Sequence, residues 1–222
     1  MATKQNEYVI ALEEHYWDKD LIATLGGGEA SRAPKMMERL YDIGEIRIRE
    51  MDAAGIDMQL LSHGAPSGQK VTADIAEKVM RGMNDRLAAA IKEHPTRFAG
   101  FAALPTAVPE SAADELERCV TELGFKGAMI CGLTNGHFHD EKQFWPIFER
   151  AEKLDVPIYM HPSFPDDRII EAYYKEYIKD YPMVMRAAWG YTVETATQAI
   201  RMVLSGMFEH YPKLKIVLGH MG

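Results

Sequence analysis

Apolar residues in this chain fall into two kinds of pattern. Short continuous runs stand at Val9 to Leu12, Met58 to Ser62, Phe98 to Leu104, Gly127 to Cys131, Pro157 to Met160 and Lys215 to Leu218. Each has the length of a buried strand. Between them lie longer stretches in which apolar positions recur every three or four residues. Glu110 to Leu123 puts Leu116, Val120 and Leu123 on one face, with Pro109 at a first helical position and Gly124 as terminator. Lys35 to Ala53 predicts a second helix, and a third starts after Thr72 as its cap and runs to about His94. Asp140 with Gln143 has the spacing of a capping box ahead of Phe144 to Leu154. Val193 to Phe208 carries a stripe of Ala196, Ile200, Val203 and Met207. Alternating strands and helices predict an α/β fold, a parallel sheet covered by helices.

The strand ends change the picture. Three runs lead into histidine: Ile10 to His15, Val156 to His161 and Ile216 to His220. In a (β/α)8 barrel the carboxyl ends of the strands converge on one face, so these residues meet around one point. Glu13 and His15 are two apart in an extended segment and leave the same side of the strand, while Glu14 leaves the other. One histidine at a strand end is most simply a hydrogen-bonded structural residue. Three such ends with a nearby carboxylate read as a site for a divalent ion, with zinc, manganese and iron all compatible with the donors.

The other histidines carry less. His94 before Pro95 and His210 before Tyr211-Pro212 read as helix-end residues. His137 and His139 fit a loop leading into a helix cap as well as they fit an approach to the pocket. His63, directly after the second run, is a candidate for substrate contact. Two connections after strand ends, the one holding Gly26-Gly27-Gly28 and the one from Ser163 to Pro182, are placed where barrel enzymes shape their substrate sites. The triple glycine lacks the spacing and lysine of a phosphate-binding loop.

Composition narrows the function classes. At 222 residues and 47% hydrophobic, the chain suits one barrel domain over residues 1–222. A net charge of -8 without a basic run argues against nucleic acid as a partner. No stretch of about 18 uninterrupted apolar residues predicts a membrane span, and the polar amino terminus has no signal-peptide core. Two unframed cysteines, Cys119 and Cys131, read as packed thiols of a cytoplasmic protein.

The segments Ala11 to His15, Tyr159-Met160-His161-Pro162, Trp189 to Met202 with Glu194-Thr195-Ala196, and Leu214 to Gly222 together resemble the metal-dependent aromatic-acid decarboxylase branch of the amidohydrolase superfamily, the gamma-resorcylate type. The similarity runs in order through nearly the whole chain. It implies that Glu13, His15 and His161 bind one divalent metal ion, zinc or manganese, with no organic cofactor. It places His220 beside the ion as an acid-base or substrate-orienting residue and Trp189 at the pocket. The implied substrate is a small hydroxybenzoate-type aromatic carboxylic acid, and the implied reaction is nonoxidative decarboxylation. Hydrolysis or hydration in the same type of barrel, or an inactive chain with a binding role, are the alternatives.

In that family Gly-His-Met-Gly is followed by a Glu and by two more strand-helix units, the last bearing an Asp that both touches the metal and serves as proton donor or acceptor. This sequence stops at Gly222. It is therefore expected to supply about the first six strand-helix units of a TIM-type (β/α)8 barrel and to be inactive alone, because open parallel edges would stay unpaired. For the full-length protein, the Tyr173, Tyr174, Tyr177 and Tyr181 cluster with Trp189 predicts a homo-dimer or homo-tetramer.

Overall fold

The computed structural model describes residues 7–26 and 33–221; Gly27 and Gly28 of the triple glycine lie outside them. Its strands are β1 (Ile10–Tyr16), β2 (Met58–His63), β3 (Phe98–Gly100), β4 (Ala102–Ala103), β5 (Ala128–Cys131), β6 (Pro157–His161) and β7 (Lys215–Leu218). The helices are α1 (Lys19–Leu25), α2 (Pro34–Tyr41), α3 (Glu45–Ala54), α4 (Ala73–Glu93), α5 (Pro109–Thr121), α6 (Trp145–Lys153), α7 (Asp167–Ile169), α8 (Gly190–Leu204) and α9 (Met207–His210).

All strand pairings are parallel and follow chain order. The run Phe98 to Leu104 is read in sequence as one strand, yet it changes partner midway. Its β3 half pairs with β2 and its β4 half with β5. Phe101 N–H still donates to Leu61, whereas Ala102 N–H donates to Gly127. The seven segments thus occupy six successive positions of a TIM-type barrel wall.

The pleat sorts side chains into two layers. Leu61, Ala102, Ile130, Ile158 and Met160 face outward and pack with Met80, Leu87, Leu116, Ile147 and Phe148 from the helices. Leu60, Phe101, Met129, Cys131 and Tyr159 meet on the inner face. At the start of β5 a side chain would be excluded altogether: a Cβ on Gly127 would lie 2.2 Å from the Pro157 carbonyl oxygen.

Four local expectations need correction. The segment Lys35 to Ala53 is two helices, because the Asp42 carboxylate accepts from Gly44 and Arg47 N–H and so starts α3 afresh. Val193 to Phe208 is also broken, at Gly206, which sits at φ 77°. Asp140 does not close a capping box; both its oxygens take the Arg201 guanidinium, at 2.8 and 3.0 Å. Finally, α8 buries Glu194, Thr195, Gln198 and Met202, leaving Ile200 and Val203 of the expected stripe exposed. Cys119 and Cys131 are both buried and unpaired. Among the described residues no helix is long and apolar enough to cross a membrane.

Candidate metal centre

The pairing of β1 with β2 slips by one residue between Ala11 and Glu14, so three steps on β1 match two on β2. Such a bulge re-aims the side chains that follow it. Glu13 and His15 both turn into the inner face, where β6 brings Tyr159 and His161. His220 follows the end of β7 in a left-handed conformation, φ 52° and ψ 31°, which swings its ring back toward the same point.

Four donor groups meet there. His15 Nε2 lies 3.2 Å from His161 Nε2, and His220 Nε2 lies 3.2 Å from the same atom. Glu13 Oε1 stands 3.2 Å from His220 Nε2, 3.4 Å from His161 Nε2 and 3.9 Å from His15 Nε2. Two ligand atoms each about 2.1 Å from a common ion are roughly 3.0 to 3.4 Å apart at octahedral to tetrahedral angles. Four of these five separations fall in that range and the fifth, Glu13 to His15, is 3.9 Å, so Glu13, His15 and His161, with His220 alongside, fit a divalent cation.

Neighbouring groups fix how the donors point. His161 Nδ1–H donates to the Pro162 carbonyl at 2.6 Å, which leaves Nε2 facing the centre. His15 Nδ1 is held by Ser62 Oγ at 3.2 Å. The Tyr159 hydroxyl donates to Glu13 Oε2. These are the partners that orient ligands and set their basicity in metal sites.

The electrostatics agree. Burial raises the Glu13 carboxyl, but hydrogen bonds from His161 and Tyr159 and the charge of His161 bring it down to about 2. Burial and the neighbouring His161 push His15 down to about 3. Burial also works against a charged His161, yet Cys131 and Glu13 outweigh it and raise that imidazole. The cluster therefore keeps an ionised carboxylate and favours one positive charge where the donors meet.

A cavity of about 290 Å³ opens beside the cluster, walled by Trp17, Met36, Leu40, Ala65 and Tyr191. The Tyr191 ring packs edge-on to His220 at 5.2 Å and lies 6.2 Å from His161. The wall also needs a bare backbone at Gly64, whose added Cβ would come 3.1 Å from the His15 side chain and 3.2 Å from Trp17 Nε1.

Glu13, His15 and His161 come together as expected from the sequence. Glu14 turns the other way and takes a hydrogen bond from Gln59. His63 is not in the cavity wall. Strand β2 continues through it, so the pleat sends Ser62 inward and His63 outward, where it is 3% exposed against Tyr16 and its Nδ1–H donates to the Gly64 carbonyl. Trp189 is 56% exposed at the N-cap of α8 and lines a surface depression with Val193, Ala196 and Ile200. Tyr191, two residues on, takes the cavity position instead. His137 pairs with Glu141, and His139 is buried between Thr134 and Gln198, so both belong to the loop. Sequence reading missed Ser62, Tyr159, Trp17 and Tyr191. Of these, Tyr159 carried a signal, since it stands two residues before His161 and shares its face.

Residues 11–222 match the family model for amidohydrolases. Gamma-resorcylate decarboxylase of Polaromonas sp. strain JS666 is 41% identical over 96% of this chain and 66% of its own length. The enzyme of the same name from Rhodococcus jostii is 38% identical, with 96% and 67% covered. The chain thus spans about two thirds of the length of these curated relatives. Among solved structures, a dihydroxybenzoic acid decarboxylase from Polaromonas with bound manganese and the inhibitor 2-nitroresorcinol superposes with a TM-score of 0.85 at 40% identity, covering 97% of this chain and 66% of that one. A 5-carboxyvanillate decarboxylase from Novosphingobium aromaticivorans, also with manganese, gives 0.90 at 32% identity, covering 100% and 67%.

Proposed function

The chain belongs to the amidohydrolase family, and from that footing we propose that it serves the nonoxidative, divalent-metal-dependent decarboxylation of a hydroxybenzoate-type acid. The observation that carries this reading is the convergence of Glu13, His15 and His161 beside an aromatic-walled cavity. The manganese-bearing decarboxylases it resembles support the same choice of chemistry.

Glu13, His15 and His161 would hold the ion. Once bound, it supplies Lewis-acid polarisation and a template for a carboxylate and its ortho phenolic oxygen. Trp17 and Tyr191 line the cavity and would flank a planar ring there. Protonation of the ring carbon that bears the carboxylate interrupts aromaticity, and departure of carbon dioxide returns the electron pair to the ring. A proton-exchanging group must therefore stand at the ring. Among the described residues outside the triad, His220 is placed for it, with Nε2 at the cluster and its ring against Tyr191.

The test is turnover. The manganese-loaded full-length protein given 2,6-dihydroxybenzoate is expected to release carbon dioxide and resorcinol, and to stop on chelation. Hydration of an unsaturated acid without carbon dioxide release would sink the decarboxylase reading.

The proposal includes a cytoplasmic setting, supported by the two buried free thiols, and a homo-dimer or homo-tetramer. Exposed Tyr173, Tyr177, Tyr181 and Trp189, and the exposed Ile200, Val203 and Leu204 of α8, support association with a second copy. Sedimentation as a monomer at micromolar concentration would overturn that part.

A further inference from the structure

The bulge that aims Glu13 and His15 has a cost: the ladder between β1 and β2 is interrupted where the site needs it most accurate. Behind the strand, on the face away from the cluster, lies a side chain that spans the interruption. Arg47 of α3 is nearly buried, with its side chain 10% exposed. Its Nη2 donates to the His15 carbonyl at 2.7 Å and its Nη1 to Gln59 Oε1 at 3.0 Å. Its Nε donates to the Asp42 carbonyl at 3.1 Å. Gln59 Nε2 in turn donates to Glu14 Oε2 at 2.9 Å, and Arg47 Nη1 is 3.9 Å from that same oxygen.

Two of these bonds end on β1, at the residues immediately after Glu13. One fixes the backbone of the ligand His15 itself. The other, through Gln59, fixes Glu14, whose side chain points out because Glu13 and His15 point in. A guanidinium suits this place because its planar fork serves several acceptors at set angles, which an ammonium does not.

We infer that Arg47 is a positioning residue for the metal centre, fixing the register of the bulged strand so that Glu13 and His15 present their donors together. This rests on the reading of the cluster as a metal site. Arg47 touches neither the ion position nor the cavity's reacting groups; it acts through the His15 carbonyl and the Gln59–Glu14 pair.

The test compares Mn2+ affinity, by paramagnetic resonance titration, in the wild-type full chain and in Arg47→Met, Arg47→Lys and Arg97→Met. Arg97 is the control for general destabilisation. It too holds backbone carbonyls, of Asp57 and Ile56, but at the opposite end of the sheet. Arg47→Met is expected to weaken Mn2+ binding by about tenfold or more, the usual effect of removing an outer support of a metal site. The visible spectrum of bound Co2+ should shift with it. Arg97→Met should stay within about twofold of wild type and keep the Co2+ spectrum. Arg47→Lys, which keeps the charge without the fork, should lose several-fold in affinity, and it decides the question if Arg47→Met does not fold. Unchanged affinity in whichever Arg47 variant folds, or equal losses in the Arg47 and Arg97 variants, overturns the positioning role. Failure of the wild-type chain to bind Mn2+ overturns the metal reading itself, and this inference with it.

Discussion

His15 and His161 lie 146 positions apart in the chain, yet their Nε2 atoms are 3.2 Å from each other. Each imidazole is held from behind at Nδ1, one by Ser62 and the other by the Pro162 carbonyl, so neither ring is free to turn its donor away. His161→Ala is therefore expected to lose bound metal by elemental analysis. His94→Ala, at the C-cap of α4 against Phe98, should retain it. Equal retention in the two would remove His161 from the site.

Tyr159→Phe deletes the hydroxyl that donates to Glu13 and leaves the ring in place. The carboxylate loses one of the bonds that orient it and keep it ionised. Mn2+ affinity should drop by about tenfold, in the range found when outer partners of metal ligands are removed. The thermal midpoint of the metal-free protein should move little, because the ring still packs near Phe101. Isothermal titration with Mn2+ and a melting curve without it check both halves.

How far the sequence reaches is clearest from parity and periodicity. Strand parity put Glu13 with His15 and set Glu14 apart, because an extended chain leaves no other choice. His63 is a candidate by position alone, directly after an apolar run; the strand runs one residue longer than that run, and parity then makes Ser62 the inward residue. The stripe Ala196, Ile200, Val203 pointed to the wrong side of α8. Burying Gln198 against His139, within a chain of bonds through Thr134 and Thr106, is a tertiary arrangement that hydrophobic periodicity does not encode. Trp189 and Tyr191 both lie near the start of α8, and nothing in their sequence spacing says which of them meets the cavity.

Buried neutral imidazoles set an acid limit on stability. Burial lowers His63 and His139 from 6.5 to about 4. Between pH 6.5 and 4 the unfolded chain takes up protons at these residues that the folded chain refuses. Stability is thus full above pH 6.5 and falls as the pH drops toward 4, by about 1.4 kcal/mol per pH unit for each group. His139→Gln should be less stable at pH 7, having lost its fit between Thr134 and Gln198, but its stability should decline less steeply with acid. Urea midpoints of metal-free protein across that range measure the slope; an unchanged slope would mean His139 does not titrate this way.

Gly64→Ala tests the cavity wall. A methyl group there would stand 3.1 Å from the His15 side chain and 3.2 Å from Trp17 Nε1, close enough that a neighbour must shift by a few tenths of an ångström. If His15 is the neighbour that gives, its Nε2 moves relative to His161 and the ligand set is disturbed. The variant should fold, lose Mn2+ affinity several-fold, and show a shifted Co2+ spectrum. Wild-type affinity would mean that the wall, not the ligand, yields.

His220 separates metal binding from proton transfer. It sits at φ 52°, where most side chains are strained but asparagine is tolerated. His220→Asn keeps that backbone and removes the imidazole. Glu13, His15 and His161 can still hold an ion by themselves, since three protein ligands suffice in catalytic metal sites. Mn2+ content should therefore stay near that of the wild type. In the full-length protein, turnover of a dihydroxybenzoate should fall by about a hundredfold or more, the contribution expected of a positioned proton-transfer group. The loss should lie in kcat more than in KM, because the ring would still be held by the ion and by Trp17 and Tyr191. Loss of the metal in His220→Asn would make His220 a ligand, and full activity with the metal retained would leave it no part in the chemistry.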